Sequence, residues 1–497
     1  MGSMTLPGPG DPEPRETGST DLTADPDQID AVPESTRGTD GPSPTRRSRL
    51  PRLLGAGVAI AMVLVLAGVF GIERPQPSSP ARETAQASPS TLPLGRPPRA
   101  PARPGAGRSM ANQVAALEER VARAPNDYVT WATLGIAYVQ QARVSADPSL
   151  YARAEAALDR SLEINQADNF IGYAGRSNLA GARHRFADAK QFALDGLAIN
   201  GFSALLYGAL SDAETQLGEY GAAADHVQRM VDLSPDTSSY ARASYTWELR
   251  GDTAKATELM EQARAAAPTN EDKAFALSYL GELAFDQGDA DAALGHYLAA
   301  LEAAPDDLLA QLGRAKALAA TGQIQTALDA YAEMVDRIPD PLYLIPYGRL
   351  LESRGQADEA EEQYRVARVA WQLYEANGVE PDADQVLFVA DKGDPQEALR
   401  LAQTAVAARP FLAVQDAHAW ALYRNGRYDD ALREIQAALQ LGTRSARFHF
   451  HAGMIQRALG NDDAARTELT TAMAINPKFD PIDAGIAATT LKELGAG

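Results

Sequence analysis

Residues 280–305 read LGELAFDQGDADAALGHYLAALEAAP. Apolar side chains stand at helical spacing on both sides of Gly288, and Pro305 closes the second stretch. Gly breaks a helix by favouring a positive φ, and Pro ends one by lacking an N–H. The segment therefore encodes two helices joined by a tight turn.

The same punctuation extends in both directions. Turn residues recur at Gly218, Gly251, Gly288, Gly322, Gly355, Gly393, Gly426 and Gly460, every 33 to 38 residues, and Pro235, Pro268, Pro305, Pro339, Pro410 and Pro477 close second stretches. A period near 34 signals a repeat array. One hairpin cannot bury its own apolar face, so neighbours stack and share a core.

These residues resemble the tetratricopeptide repeat family, whose unit has an aromatic, Leu-Gly and Tyr on its first helix, then Ala, an aromatic, Ala and Pro on its second. Trp131, Leu134, Gly135 and Tyr138 supply the first half in the first unit; Ala293, Tyr297, Ala300 and Pro305 supply the second half in the fifth. Ten units in register run from Tyr128 to Pro477, about seventy per cent of the chain. The resemblance implies an all-α, right-handed superhelical solenoid with a concave groove.

Several positions depart from the pattern. About seven extra residues between Gln141 and Tyr151 predict a longer turn in the first unit. His184 takes the place of a turn glycine, Glu214 replaces an apolar residue, and Arg314 stands where Leu is expected. Pro346 should kink its helix, and a lengthened helix should run past Trp371 and Tyr374 to about Asn377. Capping helices are expected at 109–127, with Val114, Leu117 and Val121 on one face, and at 478–497.

Ahead of the array the composition changes. Residues 1–52 are rich in Pro, Gly, Ser, Thr and Asp and should be a disordered tail. Residues 53–72 form an uncharged run of twenty, which at 1.5 Å per residue spans ~30 Å, the thickness of a bilayer core. We read it as a single-pass transmembrane helix. A cleaved signal peptide is the weaker alternative, because Ala85 and Ala87 lie too far downstream. Arg46, Arg47, Arg49 and Arg52 precede the run and only Arg74 and Arg82 closely follow it. That asymmetry predicts a cytoplasmic amino terminus and an extracytoplasmic array at the cell membrane. Gly57 and Ala61, like Ala67 and Gly71, have the spacing that lets two such helices approach. Nine prolines in residues 73–108 predict an extended linker.

Charge and residue content narrow the chemistry. The 66 Asp and Glu outnumber 46 Lys and Arg, and the net charge of −20 argues against nucleic acid as a partner. With no cysteine there are no disulfides, thiol nucleophiles or Cys-bound metals. The six histidines are scattered; His449 and His451 are two apart on a helix and cannot share an ion. Acidic pairs such as Asp306-Asp307, Asp429-Asp430 and Asp462-Asp463 read as residues at helix starts. No nucleotide loop, nucleophile elbow or zinc-binding helix is present, so neither catalytic residues, metal nor cofactor are expected. An enzyme built on His418, Arg424 and nearby carboxylates is the reading least supported.

The resemblance implies that ligands dock on the inner helix surface. That register places Tyr245, Glu282, Phe285, Lys316, Arg349, Trp420, Tyr423, Arg424, Phe450 and Arg457 in the groove. Aromatic and arginine side chains suit binding anchors because they bury large area at small entropic cost. The expected partner is a protein or peptide; a small molecule or envelope polysaccharide held by the aromatics is the alternative. The Lys-Asn clamp that some family members use for a peptide carboxylate is not evident.

Overall fold

The computed structural model describes residues 106–495, and every helix in them belongs to one array. The expected tail, transmembrane helix and linker, as far as residue 105, fall outside the described residues. Among those described, no helix is long and apolar enough to cross a membrane.

Helix Ala106–Arg123 leads, ten hairpins follow from Tyr128 to Ile475, and helix Asp483–Glu493 ends the array, with no strand among the described residues. Side-chain caps start most first helices. Asp127, Asn169, Ser203, Asp236, Thr269, Asp307, Asp340, Asp382 and Ser445 each accept a backbone N–H two or three residues on. Asp429, Asp430, Asp462 and Asp463 lie in first turns, where carboxylates complement the helix dipole. Val114 and Val121 are buried against the first hairpin, as a capping helix requires.

The turn glycines behave as their spacing implies, with one exception. Gly251, Gly288, Gly322 and Gly355 have φ between 72° and 85°, whereas Gly393 is extended at −123°. There Asp394 caps a helix that begins at Pro395, so two residues connect the helices instead of three. His184 adopts φ 60°, the backbone a glycine would have supplied.

Two expectations about departures need correction or qualification. The extra residues of the first unit lengthen its first helix, Tyr128–Ser145, and the turn stays short because Ala146 closes the helix in the left-handed region. Nothing in that stretch breaks a helix before Ala146. Pro346 lies inside helix Pro341–Ser353, which continues to Ser353. The lengthened helix is present as Ala357–Ala376, ending at Asn377.

Hairpins pack through alanines, leucines and large rings such as Tyr151, Tyr297, Tyr331 and Tyr364. Tyr297 is fully buried, and a Cβ on either Gly281 or Gly313 would collide with its ring. Burying such side chains contributes about 1.5–3 kcal/mol each.

The array winds back on itself. His184 Nδ1 donates to the Glu380 carbonyl at 2.8 Å, and Leu412 N donates to Tyr220 Oη at 3.0 Å. Arg409 Nη1 donates to Gln216 Oε1 at 3.2 Å, Thr443 Oγ1 to the Leu249 carbonyl, and Asn476 Nδ2 to the Phe285 carbonyl at 2.7 Å. The partners in these five bonds are 191 to 196 residues apart. That constant offset means that a later part of the winding lies along an earlier one, joined by a polar seam.

Candidate functional site

Inside the winding lies a cavity of about 1080 Å³. First helices from the fourth hairpin onward supply the largest share of its wall, and loops and second helices supply the rest. Exposed Arg354, Arg400, Thr404 and Lys478 belong to the wall too and mark where it meets solvent.

Five of the expected groove residues line this cavity: Tyr245, Glu282, Phe285, Lys316 and Arg349. Glu282 is held on both oxygens, by Tyr297 Oη at 2.7 Å and Lys316 Nζ at 2.9 Å. The Lys316 ammonium also sits over the Phe285 ring, 4.8 Å from its centre. Burial pulls the Lys316 pKa down, but Glu282 and Asp286 outweigh it and hold the group above its ordinary value.

Two further carboxylates share this corner. Glu248 ends helix Thr237–Glu248 and Asp286 ends helix Asn270–Asp286, and both line the cavity. Burial first, then the charges of Asp286 and Glu282, push Glu248 up to about 8. Burial and Glu282 also raise Asp286. Tyr245 and Tyr279 flank them and are raised well above the ordinary tyrosine value by burial. Asp286 keeps open surface although protein surrounds it, because that surface faces the cavity.

Arg349 forms a second cluster. Its Nε and Nη2 grip Asp480 at 2.7 and 2.8 Å, Nη2 reaches Asp483 at 2.7 Å, and Nη1 reaches Asp391 at 3.2 Å. Asp480 also accepts the backbone N–H of Ile482 and Asp483, which fixes the last helix to the cavity wall. Burial would lower the Arg349 pKa, yet Asp480, Asp483 and Asp391 hold it well above its ordinary value.

The other five expected residues, Trp420, Tyr423, Arg424, Phe450 and Arg457, are not part of the cavity wall. Trp420 is 6% exposed, stacked between Tyr423 and His451, with its Nε1 donating to Asp391 at 2.8 Å. Phe450 is 1% exposed and packs on Trp420 and Phe479. Arg424 pairs with Asp391 at 3.0 Å and Arg457 with Asp462 at 2.9 Å. Trp420 and Phe450 are therefore buried rather than open to a groove, with Phe479 packed on Phe450, whereas Arg424 is exposed and Tyr423 and Arg457 are half-buried.

Most of the histidines have local partners. His226 Nδ1 meets Glu214 at 2.7 Å, which accounts for the buried glutamate at an apolar position. His449 and His451 bond Glu468 and Asp416 respectively, in different directions. His418 Nδ1 faces Glu434 at 3.4 Å while Arg424 is tied to Asp391, so the constellation considered for an enzyme is not assembled. Burial, then Arg409, pushes His184 down to about 3, which keeps it neutral. Among the described residues no group of three or more His, Cys, Asp or Glu is arranged to hold a metal.

Sequence reasoning passed over Glu248, Tyr279, Asp286, Asp391, Asp480 and Asp483. A signal existed for some: Tyr279, Glu282 and Asp286 are spaced at i, i+3 and i+7 and share a helix face.

Comparison with known proteins agrees with the repeat reading. A tetratricopeptide repeat family model matches residues 240–308, 279–341 and 417–480. Among solved structures, the chain is similar to a thermophilic repeat protein of Thermus thermophilus, at 24% identity and TM-score 0.32, covering 34% of this chain and 91% of that one. It is similar to a tetratricopeptide repeat protein from Parabacteroides merdae, at 18% identity and TM-score 0.31, covering 52% and 98%. Human IFIT1, solved as a dimer with m7Gppp-AAAA, aligns at 15% identity and TM-score 0.42, covering 67% and 77%. No curated protein matches the chain. The chain carries tetratricopeptide repeats, which the matched segments place in the fourth to sixth and the ninth and tenth hairpins.

Proposed function

We propose that the chain is a non-enzymatic scaffold, tethered to the cell membrane by residues 53–72, that grips an extended stretch of a partner protein. Tetratricopeptide repeats generally serve as protein-interaction scaffolds, and the finer reading adds the site and the setting. The observation that carries it is the interior cavity, whose wall sets Tyr245, Tyr279 and Phe285 beside charges of both signs. Aromatic rings bury area and fixed charges select polar groups, a combination suited to a polypeptide. The amino terminus lies in the cytoplasm and the repeats act outside it, in envelope-associated assembly.

Binding of a small molecule or polysaccharide through aromatics alone receives less support, because Glu248, Glu282, Asp286, Lys316 and Arg349 converge on the same space. The test is a photo-crosslinking residue at Tyr279, with Phe202, 72% exposed on the outside, as control. A protein adduct from native membranes at Tyr279 and none at Phe202 is expected. Adducts at Phe202 alone, or none at all, reject the reading. Protease treatment of intact cells should degrade the repeats, and protection would reject the topology.

A further inference from the structure

The corner formed by the fourth, fifth and sixth hairpins holds three carboxylates and one ammonium. Lys316 is committed to Glu282, whose other oxygen takes the Tyr297 hydroxyl. Glu248 and Asp286 make no side-chain hydrogen bond or ion pair among the described residues. Arg447, a further cation on the cavity wall whose charge reaches Asp286, has its Nε 3.5 Å from an Asp416 oxygen without a hydrogen bond. Glu248 is half-buried and Asp286 open toward the cavity, so both carboxylates can meet a cation that enters it.

Three features make this corner more than a patch of acid. It is inside the molecule, on the wall of a cavity large enough for several residues of a peptide. Its tyrosine rings offer faces to which a cation is drawn. Its carboxylates are not arranged to hold a metal ion.

We propose that this corner receives one positively charged side chain, lysine or arginine, from the bound polypeptide, with Glu248 and Asp286 as its counter-ions and the rings of Tyr245 and Tyr279 beside it. This rests on the reading of the cavity as a polypeptide site and names what that site selects. Ammonium on a long apolar stem matches a pocket with aromatic sides and an acidic end. A free polyamine shares this chemistry, and the experiment separates the two sources.

The full chain is titrated calorimetrically with blocked pentapeptides Ala-Ala-Xaa-Ala-Ala, where Xaa is Lys, Arg, Gln or Glu, and with spermidine. The Lys or Arg peptide is expected to bind and the Gln and Glu peptides are not. Glu248→Gln and Asp286→Asn should each weaken binding by about tenfold. Because Gln reproduces the neutral carboxyl that burial favours at this position, Glu248→Gln should raise or preserve the melting temperature while binding falls. Equal binding of the Lys and Gln peptides, or Lys binding unchanged in both variants, overturns the proposal. So does a fall in melting temperature large enough to explain lost binding in Glu248→Gln, unless Asp286→Asn loses binding while remaining stable. No binding of any probe, with crosslinking at Tyr279 intact, overturns the cationic corner and leaves the polypeptide reading standing. Spermidine binding without peptide binding upholds the cationic corner and overturns the polypeptide source.

Discussion

Arg349 clasps Asp480 through two parallel hydrogen bonds of 2.7 and 2.8 Å, although 131 residues separate them. The pair ties the wall of the cavity to the start of the last helix. Replacing Arg349 with Met leaves Asp480 and Asp483 crowded without their cation, while Asp391 keeps Arg424. The loss should be on the order of 3 kcal/mol, in the range for breaking a buried pair. Hydrogen exchange checks it: amides of residues 476–494 should lose protection before those of the first three hairpins.

Gly251 and Gly426 have nearly the same backbone, φ 72° and 74°. A Cβ on Gly251 would collide with the Gly442 carbonyl oxygen, while one on Gly426 meets nothing within 4 Å. Alanine at either position costs about 1 kcal/mol for the left-handed backbone. Gly251→Ala should cost about 2 kcal/mol more, as overpacking does. Chemical denaturation of the two variants measures that difference; equal losses would mean that the windings do not touch in solution.

The pH dependence of stability should carry the mark of Glu248. Its folded-state pKa of about 8 stands above the ordinary 4.5. In that window the folded chain binds more protons at Glu248 than the unfolded one, so this contribution to stability falls as pH rises from about 4.5 to 8. Glu248→Gln abolishes the term. Its unfolding free energy should gain on wild type between pH 5 and pH 8, by an amount on the order of 1–2 kcal/mol once cavity water screens the charge, and denaturation across that pH range measures it.

His184→Gly relieves a left-handed non-glycine residue but removes the bond to the Glu380 carbonyl and the contact with the Phe186 ring. Strain of about 1 kcal/mol is returned, against a buried hydrogen bond and ring packing. Net destabilisation is expected, with faster exchange around Glu380 and unchanged exchange in the hairpin carrying His184. Faster exchange confined to that hairpin would contradict the seam.

The repeat glycines and closing prolines made the hairpins legible, because turn chemistry is local and each signal lies within one unit. His184 was legible for the same reason, since a gap in a glycine series marks a position that needs positive φ. Trp420 and Phe450 were assigned by register to an open surface, and register says nothing of what folds over it. Phe479 covers Phe450 because of where the chain goes some thirty residues later. The pairing of Arg349 with Asp480 depends on small rotations accumulated over several units, and no single unit encodes that sum. Half of the site was readable as one helix face, while the unpaired state of Glu248 follows only from knowing every neighbour.

Arrays of this kind ordinarily tolerate duplication or loss of a whole hairpin, since each unit answers only to the next. The seam removes that freedom. An extra hairpin anywhere between Phe285 and Glu380 would lengthen the offset by one period and set every donor along the junction against the wrong acceptor. The chain is thus committed to its tally of units, and its evolution should favour substitution within hairpins over their gain or deletion.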